Sequence, residues 1–496
     1  MYSLTFEAFT KLAAPGSLVP LYREILADIH TPVTALMNLR ARPYAYLLES
    51  MEGGEKWGRY TFLGCDPRTI FRVVGSRVEI EDNGKTTSCE HQGDPMKYLK
   101  VLVERYRPVP AERLPRFYGG ALGYLGYDMV RYFEKLPEII ADDSERVDAV
   151  FIITDTVVVF DHFRHTITAV ASICIDEGSD LRSLYDGGVR KIEETINLVT
   201  SKGHAETVRG SSHGDIALQP DMSPEAFKDM VKKAKDYIVN GDVIQVVLSQ
   251  RFRRKNDMDP VQLYRALRFI NPSPYLFYLK LGDVTLIGSS PEVMVRMEEG
   301  IAELRPIAGT RRRGKNEQED RMLADELLGD AKEKAEHIML VDLGRNDLGR
   351  IARTGSVQVT RLMMVERYSH VMHFVSNVQA QLAPGRDAFD VLRATFPAGT
   401  LTGAPKVRAM EIIEELEKSR RGPYGGAVGY VGYTGNMDLC ITIRTIMVKD
   451  ENLFIQTGAG IVADSDPDLE YEETIYKAKA MMEAIRLAAN NFLLTH

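Results

Sequence analysis

Between residues 148 and 173 the chain reads DAVFIITDTVVVFDHFRHTITAVASI, where apolar side chains alternate with polar ones and predict a hairpin of half-buried strands. SPEAFKDMVKKAKDYIVNG (223–241) changes to the three-and-four spacing of an amphipathic helix. The same spacing returns in DPDLEYEETIYKAKAMMEAIRLA, where Ile475, Ala478, Met482 and Ile485 form an apolar stripe while Glu470, Glu473 and Lys477 share another face. Between these regimes SKGHAETVRGSSHGDIALQP (201–220) has no apolar period and predicts a linker or long surface loop. It divides the chain into an N-terminal region, 1–205, and a C-terminal region, 221–496. YGGALGYLGY (118–127) recurs as YGGAVGYVGY (424–433) across that linker. Duplicated strands that approach closely explain those glycines at least as well as a ligand does.

A chain of 496 residues exceeds one ordinary core, so two domains or one large layered sheet structure are expected, with room for a deep site. The formal charge of −8 excludes broad binding to nucleic acid or to an anionic membrane surface. Four cysteines without CxxC spacing exclude a zinc knuckle and fit reduced, mostly buried thiols. The start, MYSLTFEAFTKLAA, lacks the apolar core of a signal peptide and no segment resembles a membrane span, so a soluble, cytoplasmic protein is expected.

Several constellations could carry chemistry. Glu333 and Glu336, in AKEKAEHIMLVDLGRND, repeat the one-face geometry of Glu470 and Glu473. Each pair alone reads as a solvated helix face; two facing each other would make an oxygen-rich cage suited to Mg²⁺. His370 and His373 sit in the alternating run RYSHVMHFVSNVQAQL, as structural residues or as an acid or base. TFPAGTLTGAPKVRAMEII (395–413) predicts a turn before a helix whose amides could bind an anion, and QTGAGIVADSDP (456–467) predicts a glycine turn whose bare amides could hold a carboxylate. Arg444, in DLCITIRTIMV, is a basic residue inside an apolar strand and needs a carboxylate partner or an anionic ligand.

Eight motifs in order, GSSPE (288–292), PIAGT (306–310), EKAEHIMLVDLGRNDLGR (333–350), FPAGTLTGAPK (396–406), YGGAVGY (424–430), CITIRT (440–445), TGAGIVADSDP (457–467) and the last ExxE helix, resemble the chorismate-utilising enzymes. Within them the chain is most similar to the branch of anthranilate synthase large subunits. The resemblance implies an α/β (α+β) sandwich of two large antiparallel sheets with helices outside and the site in the cleft between them. It further implies Mg²⁺ held by Glu336 and Glu473, with Glu333 and Glu470 through water. Chorismate would be bound by Gly309, Thr310, Tyr424, Arg444, Gly458, Ala459, Gly460 and Lys477. Glu292 would be the general acid for the departing C4 hydroxyl, and His373, packed near Thr400, would serve the later loss of the C2 proton and of pyruvate. Ala308 and Gln245 stand where sister enzymes that aminate at C4 or add water carry lysines. With no glutaminase nucleophile in sight, a separate glutamine amidotransferase subunit is expected as partner. Ser50, Pro274, Tyr275 and Leu276 match a tryptophan feedback pocket, with leucine where methionine is common. The arginines of RPIAGTRRRG (305–314) are left as a solvated turn or part of a subunit face.

Overall fold

A computed structural model describes residues 1–50, 58–140, 147–201, 218–368 and 371–493. Of the expected linker, 202–217 lie outside the described residues, as does His370. The elements that position the site are, in chain order, β1 (Tyr44–Glu49), β2 (Gly120–Leu125), β3 (Gln245–Lys255), β4 (Tyr275–Leu281), β5 (Val284–Ser290), β6 (Val293–Glu298), β7 (Ile307–Arg312), α1 (Glu317–Gly329), α2 (Ala331–Gly349), β8 (Val371–Gln381), α3 (Lys406–Leu416), β9 (Ala427–Gly432), β10 (Met437–Ile441), β11 (Thr445–Lys449), β12 (Asn452–Ile461) and α4 (Pro467–Ala489).

Two large sheets form a sandwich. One runs β3, β12, β11, β5, β4, β1 and continues into strands from the first 180 residues; the other runs β7, β8, Ile301–Leu304, β6, β10, β9, β2 and then further N-terminal strands. Both sheets therefore draw on both ends of the chain. Between them lies an aromatic-rich core in which Tyr46, Phe277 and Leu286 of one sheet meet Leu122, Tyr124 and Tyr430 of the other. Helices cover the outer faces. α4 packs Ala478, Met481, Ala484 and Ile485 beside Ile455 of β12; of the expected stripe Ala478 and Ile485 are buried, while Ile475 and Met482 are only partly buried against the same core. The two glycine-rich copies pair with each other as β2 and β9, with Gly123 opposite Gly429, where a Cβ on either would lie 2.0 Å or less from a neighbouring carbonyl oxygen. Their glycines serve sheet packing.

Two local readings need correction. The run 148–173 is not one hairpin: the chain bends at Asp155, Val147–Thr154 joins one sheet and only Thr156–Asp161 with Thr166–Cys174 form the hairpin, in the other. An alternating pattern specifies a half-buried strand but not which sheet it enters. Among the four free cysteines, only Cys440 is buried and Cys89 is exposed.

Candidate active site

β7, β8, α2, α4 and the end of β12 bring most of the expected residues into one cleft. Glu292 follows β5 by two residues, half-buried, and burial pushes its carboxyl up to about 7. The Thr400 hydroxyl and the charges of Arg444 and Lys477 partly oppose that rise. Thr400 Oγ1 is buried beside that carboxyl, in loose rather than well-formed hydrogen-bond geometry.

Across the cleft, Gly309 interrupts the pairing of β7 with β8 in a bulge, with φ +66°. A left-handed residue at a bulge favours glycine. A Cβ there would meet Leu327 and Phe374 at 3.0 Å and Glu333 Oε2 at 3.3 Å. The bulge turns the Gly309 carbonyl onto His373 Nδ1 at 2.9 Å, with Thr310 Oγ1 at 3.1 Å from the same nitrogen. Because the carbonyl only accepts, Nδ1 carries the hydrogen and Nε2 keeps its lone pair. Burial lowers the pKa of His373, so the ring stays neutral and basic at Nε2.

Glu336 lies on α2 one turn from Glu333, so the helical repeat places both on the inward face. Burial raises its pKa, and the like charges of Glu333 and Glu473 add to the rise; Gln245 Nε2 donates to Oε1 at 3.3 Å and opposes it. Glu470 is likewise raised by burial and by Glu473. Glu333 accepts from Arg311 at 3.1 Å, and Glu473 pairs with Lys477 at 2.6 Å. Among the described residues no three acidic, histidine or cysteine side chains converge closely enough to ligate a metal. The donor set nevertheless fits a hard divalent cation: all four are carboxylates, and Glu336 is held against two like charges that a cation would neutralise.

The third wall is β12. TGAG is not a turn: Gly458, Ala459 and Gly460 lie within the strand, opposite Ser249, Leu248 and Val247 of β3. On the other side β11 pairs only as far as Ile446 opposite Ile455, leaving the edge from Gln456 onward without a strand beside it among the described residues. The glycines make a cradle. A Cβ on Gly458 would lie 2.7 Å from the Tyr424 hydroxyl, and one on Gly460 would lie 2.6 Å from Gln245 Nε2. Lys477 Nζ donates to the Gly458 carbonyl at 3.0 Å. Arg444 sits not inside a strand but at the bend between β10 and β11, with φ +48°, a backbone conformation uncommon for a side chain other than glycine. The bend ends the ladder and opens β12.

Sequence reasoning missed the supports. Arg421, almost fully buried, donates to Glu417, to the Leu401 carbonyl beside Thr400 and to the Val247 carbonyl of β3, and it lies over Tyr424. Glu417 in turn accepts from the amide and hydroxyl of Ser249, each at 2.8 Å. Four-residue spacing in EKSRR was the available signal. Lys406 bridges Asp347 of α2 at 2.7 Å and the Thr395 carbonyl at 3.2 Å, tying the FPAGT loop to the helix of the acidic pair.

A family model described as chorismate binding enzyme matches residues 46–483. The chain belongs to the chorismate-binding enzymes. Among members of this family, it is 48% identical to anthranilate synthase component 1 of Aquifex aeolicus, over 98% of both chains. Against the protein of the same name from Pseudomonas aeruginosa it is 46% identical, over 97% of this chain and 98% of the other. The solved anthranilate synthase component I of Streptococcus pneumoniae superposes with a TM-score of 0.72 at 37% identity, covering 92% of this chain and 99% of that one. MenF, the menaquinone-specific isochorismate synthase of Escherichia coli, shares the chorismate-binding fold with a TM-score of 0.69 at 16% identity, covering 97% and 98%.

Proposed function

We propose that this chain is the large subunit of an anthranilate synthase, a cytoplasmic enzyme that converts chorismate and ammonia to anthranilate and pyruvate in tryptophan biosynthesis. The observation that carries the reading is the presence in one cleft of a carboxyl whose pKa burial raises to about 7, Glu292, and an imidazole whose Nδ1 is engaged by the Gly309 carbonyl, leaving Nε2 open, His373. Relatives of this name at 46–48% identity over almost the whole chain support it.

Glu292 protonates the C4 hydroxyl of chorismate as it leaves, and Thr400 Oγ1 orients that group. Ammonia forms the new bond at C2. His373 Nε2 then takes the C2 proton while the C3 enolpyruvyl group departs as pyruvate, and the ring becomes aromatic. Arg444 and the open edge of β12 at Gly458–Gly460 face the enolpyruvyl carboxylate; Gly309, Thr310, Tyr424 and Lys477 complete the pocket. Glu336 and Glu473 are the residues that would hold Mg²⁺, with Glu333 and Glu470 through water, and the ion when bound supplies Lewis-acid polarisation of the ring carboxylate. Ala308 of β7 offers no amine to attack C2, and Gln245 is no base for water, which leaves ammonia as the nucleophile. It comes from a separate glutamine amidotransferase subunit, the component 2 implied by the names of the relatives.

Ser50, Pro274, Tyr275 and Leu276 line a cavity between the sheets, together with Arg116, Arg296 and Asp438. An apolar slot with guanidinium groups at one end suits an aromatic amino acid, and the proposed ligand is tryptophan as feedback inhibitor.

The test is to incubate the purified chain with chorismate, Mg²⁺ and an ammonium salt at high pH and to follow anthranilate fluorescence. Product that disappears on chelation is expected. No product, or product indifferent to chelation, overturns the reading.

A further inference from the structure

The arginines after PIAGT do not form a uniformly solvated turn. Arg312 is the exposed one, 59% accessible and paired with Glu319. Arg313 donates to Asp320 of α1 and to the Tyr368 carbonyl. Arg311 differs from both. Only 19% of its side chain is accessible, and it meets three carboxylates: Glu326 of α1 at 2.8 Å, Asp330 between α1 and α2 at 2.8 Å, and Glu333 of α2 at 3.1 Å. Its Nη1 also donates to the carbonyl of Thr310 at 2.9 Å, on its own strand.

One guanidinium thus joins the substrate strand, the end of α1 and the first turn of α2. Exposed ion pairs contribute little, but a shielded planar donor spanning several acceptors fixes orientation as well as charge. Glu333 shows the effect: Oε1 is on Arg311, while Oε2 stands over the Gly309 bulge. Asp330 also caps α2, accepting from the amides of Lys332 and Glu333, so the start of that helix is anchored through the same arginine.

We propose that Arg311 is a positioning residue that aims the second oxygen of Glu333 over the substrate strand and so holds that carboxylate, one of the pair with Glu336, in place for an incoming cation. The inference rests on reading these carboxylates as the magnesium site. Without Arg311, Glu333 swings free and must be ordered at the moment a cation binds, which weakens cation affinity even though a positive charge has been removed nearby.

Manganese titration followed by the spin-resonance signal of free Mn²⁺ reads this without turnover. Arg311→Gln is expected to weaken Mn²⁺ binding about tenfold. Arg313→Gln leaves it within about twofold, and in a Glu333→Gln background Arg311→Gln adds less than about twofold. Arg311→Lys, which keeps the charge but cannot span three carboxylates, lies between and serves if the glutamine variant does not fold. Affinity equal to or tighter than wild type in Arg311→Gln, or in Arg311→Lys if it is used, overturns the inference, as does a tenfold loss that persists without Glu333. A wild-type chain that binds no Mn²⁺ overturns the metal reading itself, and this inference with it.

Discussion

The catalytic cleft and the cavity around Tyr275 share one hairpin yet carry charge in opposite ways. β4 and β5 run between them: Tyr275, in the cavity, pairs with Ser290, two residues before Glu292 in the cleft. In the cavity every charge is answered within the protein. Tyr275 donates to Asp438 at 2.8 Å, and Arg296 and Arg116 reach the other carboxylate oxygen at 2.7 and 3.2 Å. In the cleft the charges are left in tension, with Glu336 facing Glu333 and Glu473, and Glu292 pushed up by burial against the opposing Thr400 hydroxyl. Charges held in tension mark where a ligand or ion supplies the partner, and paired charges hold the shape of a slot that a ligand enters.

The largest effect is expected in the cleft. Glu292→Gln removes the proposed acid and should lower kcat by about 10²–10⁴-fold. The same group predicts a pH signature. Its folded pKa lies above its unfolded one, so it contributes stability that is complete below the ordinary carboxyl range and is lost as pH rises through about 7. Against wild type, the glutamine variant should therefore gain in Tm between pH 6 and pH 8, while wild-type kcat/KM falls over that interval once ammonia availability is corrected for. Calorimetry showing a pH-independent Tm difference would mean that Glu292 is ionised throughout and that the cleft is not in tension there.

The converse is expected in the cavity. Asp438→Asn leaves Arg116 and Arg296 facing each other behind a neutral amide, and breaking a buried pair in this way costs about 3–5 kcal/mol. Denaturant unfolding should show that loss, with kcat near wild type below the transition. If Asp438→Asn proves as stable as wild type, the paired charges do not hold the slot's shape and the contrast between the two sites collapses.

How much of this was legible in the sequence follows the same division. Residues named by short motifs, Glu292, His373, Thr400, Tyr424 and the two acidic pairs, meet around one cleft, because each motif includes the local turn or helix that presents its side chain. What depends on pairing across long separations was not legible. Asp155 looks like any other polar place in an alternating run, yet the chain changes sheets there. The TGAG segment looks like a turn because nothing local reveals that β11 stops at Arg444 and leaves β12 with an open edge. Arg311 looks solvated until the register of β7 brings it against the ends of α1 and α2.

The smallest effect is expected where the two regions touch. Leu276 is 1% accessible, lines the cavity and pairs across the hairpin with Ser289 on β5. Leucine and methionine are close in volume, and such exchanges in a packed core generally cost below about 1.5 kcal/mol. The Leu276 side chain packs with Leu263 and Tyr278 in the helix-covered core on the far face of its sheet, while its segment borders the cavity, and methionine, the more pliable of the two, lets that segment settle onto an aromatic ring. Leu276→Met should therefore lower the concentration of tryptophan that halves activity, by less than about tenfold since the same energy bounds the effect. KM for chorismate and kcat without tryptophan should stay at wild-type values, because the hairpin register and the Tyr275 bond to Asp438 are untouched. A shift in KM as large as the shift in inhibition would show that the β4–β5 hairpin does not insulate the cleft from the packing of the cavity, and that the two sites are one deformable unit.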